Sequence, residues 1–359
     1  MNEAEKRKYI GNEELTLVEA MQKIDSNSRG ILYIADKDNR LLGAVTDGDI
    51  RRWIIKTGRL TGTAGEMMNR NPKYCFINEE DFCGGIMTKY DIPSVPVINE
   101  SRQIVRIAFR KEKQKCLAKA DEKALANIPI IVMAGGKGSR LYPYTKILPK
   151  PLIPIGDVPI LERILNRFYQ YGAETFFLTV NYKKEMIKSY FAEAALPYRI
   201  HYIEENKPLG TAGSIRLIQE KFVHPVIVTN CDILIQADYQ KIMEYHVSCG
   251  NHMTIISALK NISIPYGVLH LKEEGLITSL QEKPQLSCFV NTGMYIINPE
   301  YLKWIPENSI FHMTDLAERM ISKKKQVGMY PVSEQAFLDM GEFEEMRKME
   351  ERIREQEAE

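Results

Sequence analysis

The chain of 359 residues exceeds a typical single small domain, and 44% hydrophobic with 26% charged residues is the balance of a globular protein with a full core. A formal charge of +1 excludes a global field for nucleic acid or an acidic membrane, so any cationic site must be local. Six scattered cysteines, without a CxxC pair or zinc-like spacing to histidine, and a polar start with no span-length apolar run read as a cytoplasmic protein with reduced thiols.

In chain order, the runs GILYIAD (30–36) and LLGAV (41–45), joined by KDNR, predict two short strands in a hairpin. TDGDIRRWIIK then predicts a helix, with Thr and Asp at its start and Ile50, Trp53 and Ile54 at helical spacing. The order returns: the helix-like EDFCGGIMTKY, then IPSVPVI (92–98), the turn NESR, and QIVRIAF (103–109). Two similar units about sixty residues apart point to an internal duplication within residues 1–115. A charged stretch over 116–127 is expected to be a linker. From Pro129 short apolar runs (IIVM, FFLTV, VIVTN, HMTIISAL) alternate with amphipathic stretches such as PILERILNRFYQYG, the pattern of an α/β domain with parallel strands, expected over 128–345. The remainder, 346–359, is expected to be a charged, solvated helix, supported by pairs such as Glu344–Lys348.

Directly after the strand-like IPIIVMA comes MAGGKGSRLYPYTKILPKPL (133–152). A glycine-rich loop at the carboxyl end of a strand lets backbone N–H groups approach phosphate oxygens. Two common phosphate loops do not fit. GxxxxGK[ST] needs a glycine where Ile131 stands, and GxGxxG fails because Gly136-Lys-Gly138 is followed by Ser139, Arg140 and Leu141. The whole string resembles the signature of the sugar-1-phosphate nucleotidyltransferases, from Met133 through Arg140 and Pro143 to Pro149-Lys150-Pro151-Leu152.

That resemblance implies a Rossmann-like (GT-A type) domain with a mixed sheet, which joins a nucleoside triphosphate to a sugar 1-phosphate and releases pyrophosphate. Two polyanions must meet, so cations and backbone donors must offset their repulsion. The sugar phosphate is already largely dianionic at neutral pH and needs no strong general base. By resemblance, Ala134, Gly135, Gly136, Gly138 and Ser139 bind the nucleotide phosphates, Arg140 holds the triphosphate and Lys150 orients the α-phosphate. Asp232, at the end of PVIVTN, and Asp339, in a D-x-G element with Gly341, are the implied Mg²⁺ ligands. Gly210, Thr211 and Gly213 of ENKPLGTAGSI are implied against base and ribose. Tyr266, Gly267, Glu282, Lys283, Asn291 and Thr292 are implied around the sugar phosphate.

Earlier in the chain, Gly43-Ala-Val-Thr46-Asp-Gly-Asp49 resembles the G-x-x-[ST]-x-x-D signature of a CBS repeat. That family has an α+β fold, and the resemblance implies an adenine-nucleotide effector held by Thr46 and Asp49. Aligning Arg40 with Arg102 turns those two positions into Ala108 and Lys111, so the second repeat is expected to be degenerate. A pair that only dimerises and binds nothing is the plainer alternative, and a homo-oligomer is expected either way. The fused architecture and the PLGTAGSI loop resemble guanylyltransferases, above all CBS-fused glucosamine-1-phosphate guanylyltransferases of legionaminic acid biosynthesis. GTP and glucosamine 1-phosphate are therefore the favoured substrates, with mannose-1-phosphate guanylyl transfer as the near alternative. A CBS-based sensor with a vestigial catalytic domain is the reading from a different class.

Overall fold

A computed structural model describes residues 6–27, 29–90, 92–110 and 124–358. The linker expected over 116–127 falls mostly outside them. Its last part does not behave as a linker: Leu125 is fully buried, its N–H donates to the Tyr171 carbonyl at 2.7 Å, and it packs in the core that follows. The chain divides into two compact units, Met1–Lys113 with Leu259–Phe289, and Gln114–Ala258 with Val290–Glu359.

In the first unit, β1 (Ile10–Gly11), β2 (Ile31–Ala35) and β3 (Leu41–Thr46) form one three-stranded sheet. β4 (Cys75–Phe76), β5 (Ser94–Ile98) and β6 (Ile104–Phe109) form another. Both sheets pair their first two strands in parallel and the last two antiparallel, and both carry an irregularity one residue before the hairpin turn. The duplication expected from the sequence is therefore visible in the ladders.

Those ladders correct its register. Ile31 opposes Thr46 where Ser94 opposes Phe109, and the turn bond from Asp36 N–H to the Arg40 carbonyl recurs from Asn99 to Gln103. Left-handed residues mark the same turn position, Asn39 in one copy and Arg102 in the other. Arg40 thus corresponds to Gln103 rather than Arg102. The counterpart of Thr46 becomes Phe109, not Ala108, and that of Asp49 moves from Lys111 to Glu112, outside the described residues. The aromatic at 109 has no hydroxyl to offer. The two hairpins join through Leu41 N–H to the Arg102 carbonyl and Ile104 N–H to the Asn39 carbonyl, both 2.9 Å.

The second unit carries a seven-stranded sheet of β7 (Ile130–Ala134), β8 (Thr175–Val180), β9 (Arg199–Glu204), β10 (Val226–Asn230), β12 (Met253–Ser263), β15 (Gln285–Ile297) and β16 (Val327–Val332), in the order β9-β8-β7-β10-β15-β12-β16, with β12 past Ala258 and β15 before Val290 grouping with the first unit. The first four are parallel, β15 runs antiparallel to β10, and β12 is parallel to β16. This is the mixed sheet the resemblance implied. Alternate residues explain why the strands read as unbroken apolar runs: Ile130, Val132 and Ala134 enter one core, Ile131 and Met133 the core on the opposite face. Helices α4 (Ile160–Tyr169) and α6 (Tyr239–Ser248) cover the first face, and α7 (Met313–Ser322) the second. The last helix, α8 (Phe343–Ala358), departs from the solvated helix expected. Its outer face does hold the pair Glu344–Lys348 at 3.1 Å, but Met349 and Ile353 are buried in the first core.

On the buried side of α6, His246 is 1% exposed, its ring nitrogens 2.8 Å from the Thr254 hydroxyl and 3.0 Å from Asn298 Oδ1. Burial, with a smaller contribution from His252, lowers its pKa against the raising effect of the Asn298 hydrogen bond. The unfolded chain then takes up a proton that the folded chain refuses, so stability should fall as pH drops below the ordinary histidine range near 6.5. Denaturant midpoints measured between pH 7.5 and 5.5 should decline, and less so in His246→Gln. Equal declines in both proteins would remove His246 from the account.

Candidate active site

The carboxyl ends of the central strands enclose a pocket of about 330 Å³ lined by, among others, Arg140, Asn230, Asp232, Asn291, Thr292 and Asp339. Two of its carboxylates stand 107 positions apart in the chain and are brought side by side by a short ladder. β11 (Ile233–Ile235) pairs antiparallel with β17 (Phe337–Asp339), with Ile233 opposite Asp339, and Met340 N–H donates to the Asp232 carbonyl at 2.8 Å. Burial and then the Asp232 charge raise the Asp339 pKa, against the opposing effects of Lys150, the Gly341 N–H and Arg140. Asp339 thus feels both cations assigned from the signature. A Cβ on Gly341 would stand 3.1 Å from the Asp339 carboxylate, a tight contact.

Lys150 is buried, and its ammonium forms an ion pair with Asp232. The glycines around it differ in what an added side chain would meet. Gly138 is left-handed (φ 64°), and a Cβ there would lie 2.9 Å from Lys150 Cβ and 3.0 Å from Thr145 Cγ2, so it lets the loop fold over the lysine. A Cβ on Gly135 would meet the buried Glu205 carboxylate at 2.7 Å. Only Gly136 faces open space and has no packing reason to be glycine. Ala134 is buried at the end of β7, while Ser139 and Arg140 are exposed on the loop.

Gly210 and Gly213 have a packing reason to be glycine. A Cβ on either would come within 2.6 Å of a backbone oxygen, of Phe311 and Ser309 respectively. Thr211 lines the pocket, and its hydroxyl accepts from Met313 N–H at 3.0 Å. Asn291 faces the pocket, donates to the Tyr295 hydroxyl at 2.6 Å and accepts from Gly293 N–H at 2.9 Å. Thr292 is buried and donates to the Ile256 carbonyl at 2.7 Å. Gly293 is left-handed (φ 86°), and a side chain there would collide with the Asn230 amide.

The remaining expected sugar-phosphate residues are not in this lining. Tyr266, Gly267, Glu282 and Lys283 flank the exposed hairpin of β13 (Val268–Leu271) and β14 (Ile277–Gln281), within the stretch Leu259–Phe289 that groups with the N-terminal unit. The hairpin brings Gly267 and Glu282 together, with a Cβ on the former 3.0 Å from the latter's carboxylate. Conversely, the sequence reading missed His312, Met313 and Thr314, which bring the start of α7 into the pocket. The signal was present: Asp315, three residues after His312, accepts from its N–H at 2.7 Å as a capping box.

Thr46 and Asp49, expected to hold an effector, are engaged with each other at the start of α2 (Asp47–Thr57). The Thr46 hydroxyl donates to Asp49 at 2.6 Å and accepts from its N–H at 3.2 Å, and Asp49 accepts from Thr46 N–H at 2.9 Å. Asp49 also pairs with Arg52 at 2.5 Å.

The pocket thus sets Arg140 against two carboxylates, one of them paired with the buried Lys150, at the ends of the central strands. In comparison with known families, the nucleotidyl transferase profile matches residues 129–356, and the chain belongs to that family. The CBS domain profile matches residues 12–56, the first of the two duplicated units. Among curated relatives, the chain is 33% identical over 202 residues to UTP–glucose-1-phosphate uridylyltransferase of Synechocystis, covering 51% of this chain and 52% of that protein. It is 32% identical over 186 residues to mannose-1-phosphate guanyltransferase of Debaryomyces hansenii, covering 49% and 51%. The chain therefore spans about half the length of the curated relatives it matches. A solved Bacillus anthracis structure, named for glucose-1-phosphate thymidylyltransferase, superposes with a TM-score of 0.50 at 20% identity. It covers 63% of this chain and 95% of that one, and speaks to the fold. Among the described residues no helix is long and apolar enough to cross a membrane.

Proposed function

We propose that this chain joins a nucleoside triphosphate to a sugar 1-phosphate, giving a nucleotide sugar and pyrophosphate. The observation that supports it most is the convergence of Arg140, Asp232, Asp339, Asn291 and Thr292 on one pocket, with the buried Lys150 paired to Asp232 behind it. A sugar-phosphate oxygen forms a bond to the α-phosphorus while the bond from that phosphorus to the β-phosphate's bridging oxygen breaks. Pyrophosphate departs with the electron pair. Arg140, exposed on its loop, offsets the charge that builds on the leaving group. The Lys150 ammonium, which here neutralises Asp232, would orient the α-phosphate.

Asp232 and Asp339 fit a divalent cation. They are two adjacent carboxylates whose repulsion one lysine only partly relieves, and among the described residues they belong to no larger cluster of metal-binding side chains. Mg²⁺ suits such a pair because it takes one or two carboxylates together with phosphate oxygens. Bound there, it would neutralise phosphate charge.

A guanine nucleotide is favoured by the PLGTAGSI loop and by the guanyltransferases among the relatives, although a uridylyltransferase is among them too. Glucosamine 1-phosphate is favoured by the CBS-fused architecture, and mannose 1-phosphate is the near alternative. The CBS pair would take an adenine nucleotide at its first unit only, against the competition of the Thr46–Asp49 capping box. We place the enzyme in the cytoplasm as a homo-oligomer. Pyrophosphate release should be scored across all common pairs of nucleoside triphosphate and sugar 1-phosphate with Mg²⁺, then repeated with AMP or ATP. GTP with glucosamine 1-phosphate is expected to lead. A blank matrix would return the protein to the class of nucleotide sensors with an idle catalytic fold.

A further inference from the structure

The loop that carries Arg140 and Lys150 is tethered from outside the signature. Between them lies the short helix Tyr144–Ile147, and three consecutive carbonyls there are taken by two adjacent side chains at the end of β8. Tyr182 Oη donates to the Thr145 carbonyl at 3.1 Å. Lys183 Nζ donates to the carbonyls of Lys146 and Ile147, both at 2.6 Å. Three unmet carbonyls at a helix end attract a cation, and a buried or half-buried donor here replaces water with fixed geometry.

Lys183 departs from its neighbours in two ways. Lys184 and Lys188 both pair with Glu204, whereas among the described residues Lys183 pairs with no carboxylate and gives its ammonium to backbone oxygens. Its backbone is also left-handed, at φ 51° and ψ 36°, an uncommon conformation for a lysine that the surroundings must hold. The tether reaches Lys150 through packing. Thr145 is buried, and its Cγ2 lies together with Lys150 Cβ beneath Gly138, so the tethered turn, the glycine and the lysine form one packed unit. Leu148 and Pro149 then lead in extended backbone to Lys150.

Resting on the activity proposed above, we infer that Tyr182 and Lys183 are positioning residues that fix the Tyr144–Ile147 turn and thereby aim Lys150 at the α-phosphate. Neither touches the pocket, so each acts through the loop. Misplacing a catalytic group by about 1 Å costs up to roughly a hundredfold in rate.

The test uses the full chain with Lys183→Met, which keeps length and removes the donor. It should lower kcat by ten- to a hundredfold and leave both KM values within about twofold. In a Lys150→Met background the same change should have under a twofold effect, because the group it aims is gone. Backbone hydrogen exchange over 144–152 should quicken in Lys183→Met while β7 stays protected. A loss of turnover that is the same with and without Lys150 would overturn the inference, as would unchanged exchange over 144–152. A wild-type chain without turnover would sink the activity reading alone, since the exchange arm still reads the tether.

Discussion

Replacing Arg140 by alanine is expected to lower turnover by at least a hundredfold, about 2.7 kcal/mol of lost transition-state stabilisation, with little change in thermal stability. The two halves of that expectation share a cause. Arg140 is exposed on its loop and lines the pocket, so truncating it leaves no cavity and strands no buried partner. Its charge matters when negative charge gathers on departing pyrophosphate, and it shares the pocket lining with Asp232 and Asp339. Steady-state pyrophosphate release with a melting curve on the same preparation checks both. Turnover within threefold of the wild type would remove Arg140 from its assigned role.

The second large effect should fall on stability and activity together. Lys150 and Asp232 have side chains only 9% and 14% exposed, and each is the other's charge partner. Lys150→Met leaves a carboxylate poorly hydrated and unpaired, which costs roughly 3 kcal/mol or more. That corresponds to a fall of about 6–12 °C in the melting midpoint for a unit of this size. Adding Asp232→Asn removes the stranded charge, so the double variant should recover most of the stability. It should recover none of the turnover, because the phosphate-facing cation stays absent. A double variant as unstable as the single one would mean that Lys150 supports the fold by packing, not by pairing.

The parts legible in the sequence are those where the chemistry is contiguous. MAGGKGSRLYPYTKILPKPL places the glycine loop, Arg140 and Lys150 in one run, and the structure holds that run at one end of the sheet. The α/β class was legible too, because strands buried on both faces leave unbroken apolar runs such as IIVM. What was hidden is what the fold itself creates. The resemblance paired Asp232 with Asp339, but the three-residue ladder that joins them has no local signal, and the capping box that starts α7 does not tell where that helix packs. The glycines could be found but not explained, since Gly138 answers to Lys150 and Gly210 to a carbonyl about a hundred residues away. The duplicated unit shows the limit of matching by identity. Arg40 and Arg102 look equivalent in KDNR and NESR, yet the turn bonds pair Asp36 with Asn99 and move the register by one residue.

Tracing the α-phosphorus follows the nucleotidyl group proposed to pass to a sugar phosphate in this pocket. With the nucleoside triphosphate labelled at that atom and a sugar 1-phosphate present, the label should appear in the nucleotide sugar and none in pyrophosphate. Label recovered only as nucleoside mono- or diphosphate, or left in the triphosphate across every pair tried, would mean that no nucleotidyl group reaches a sugar phosphate here.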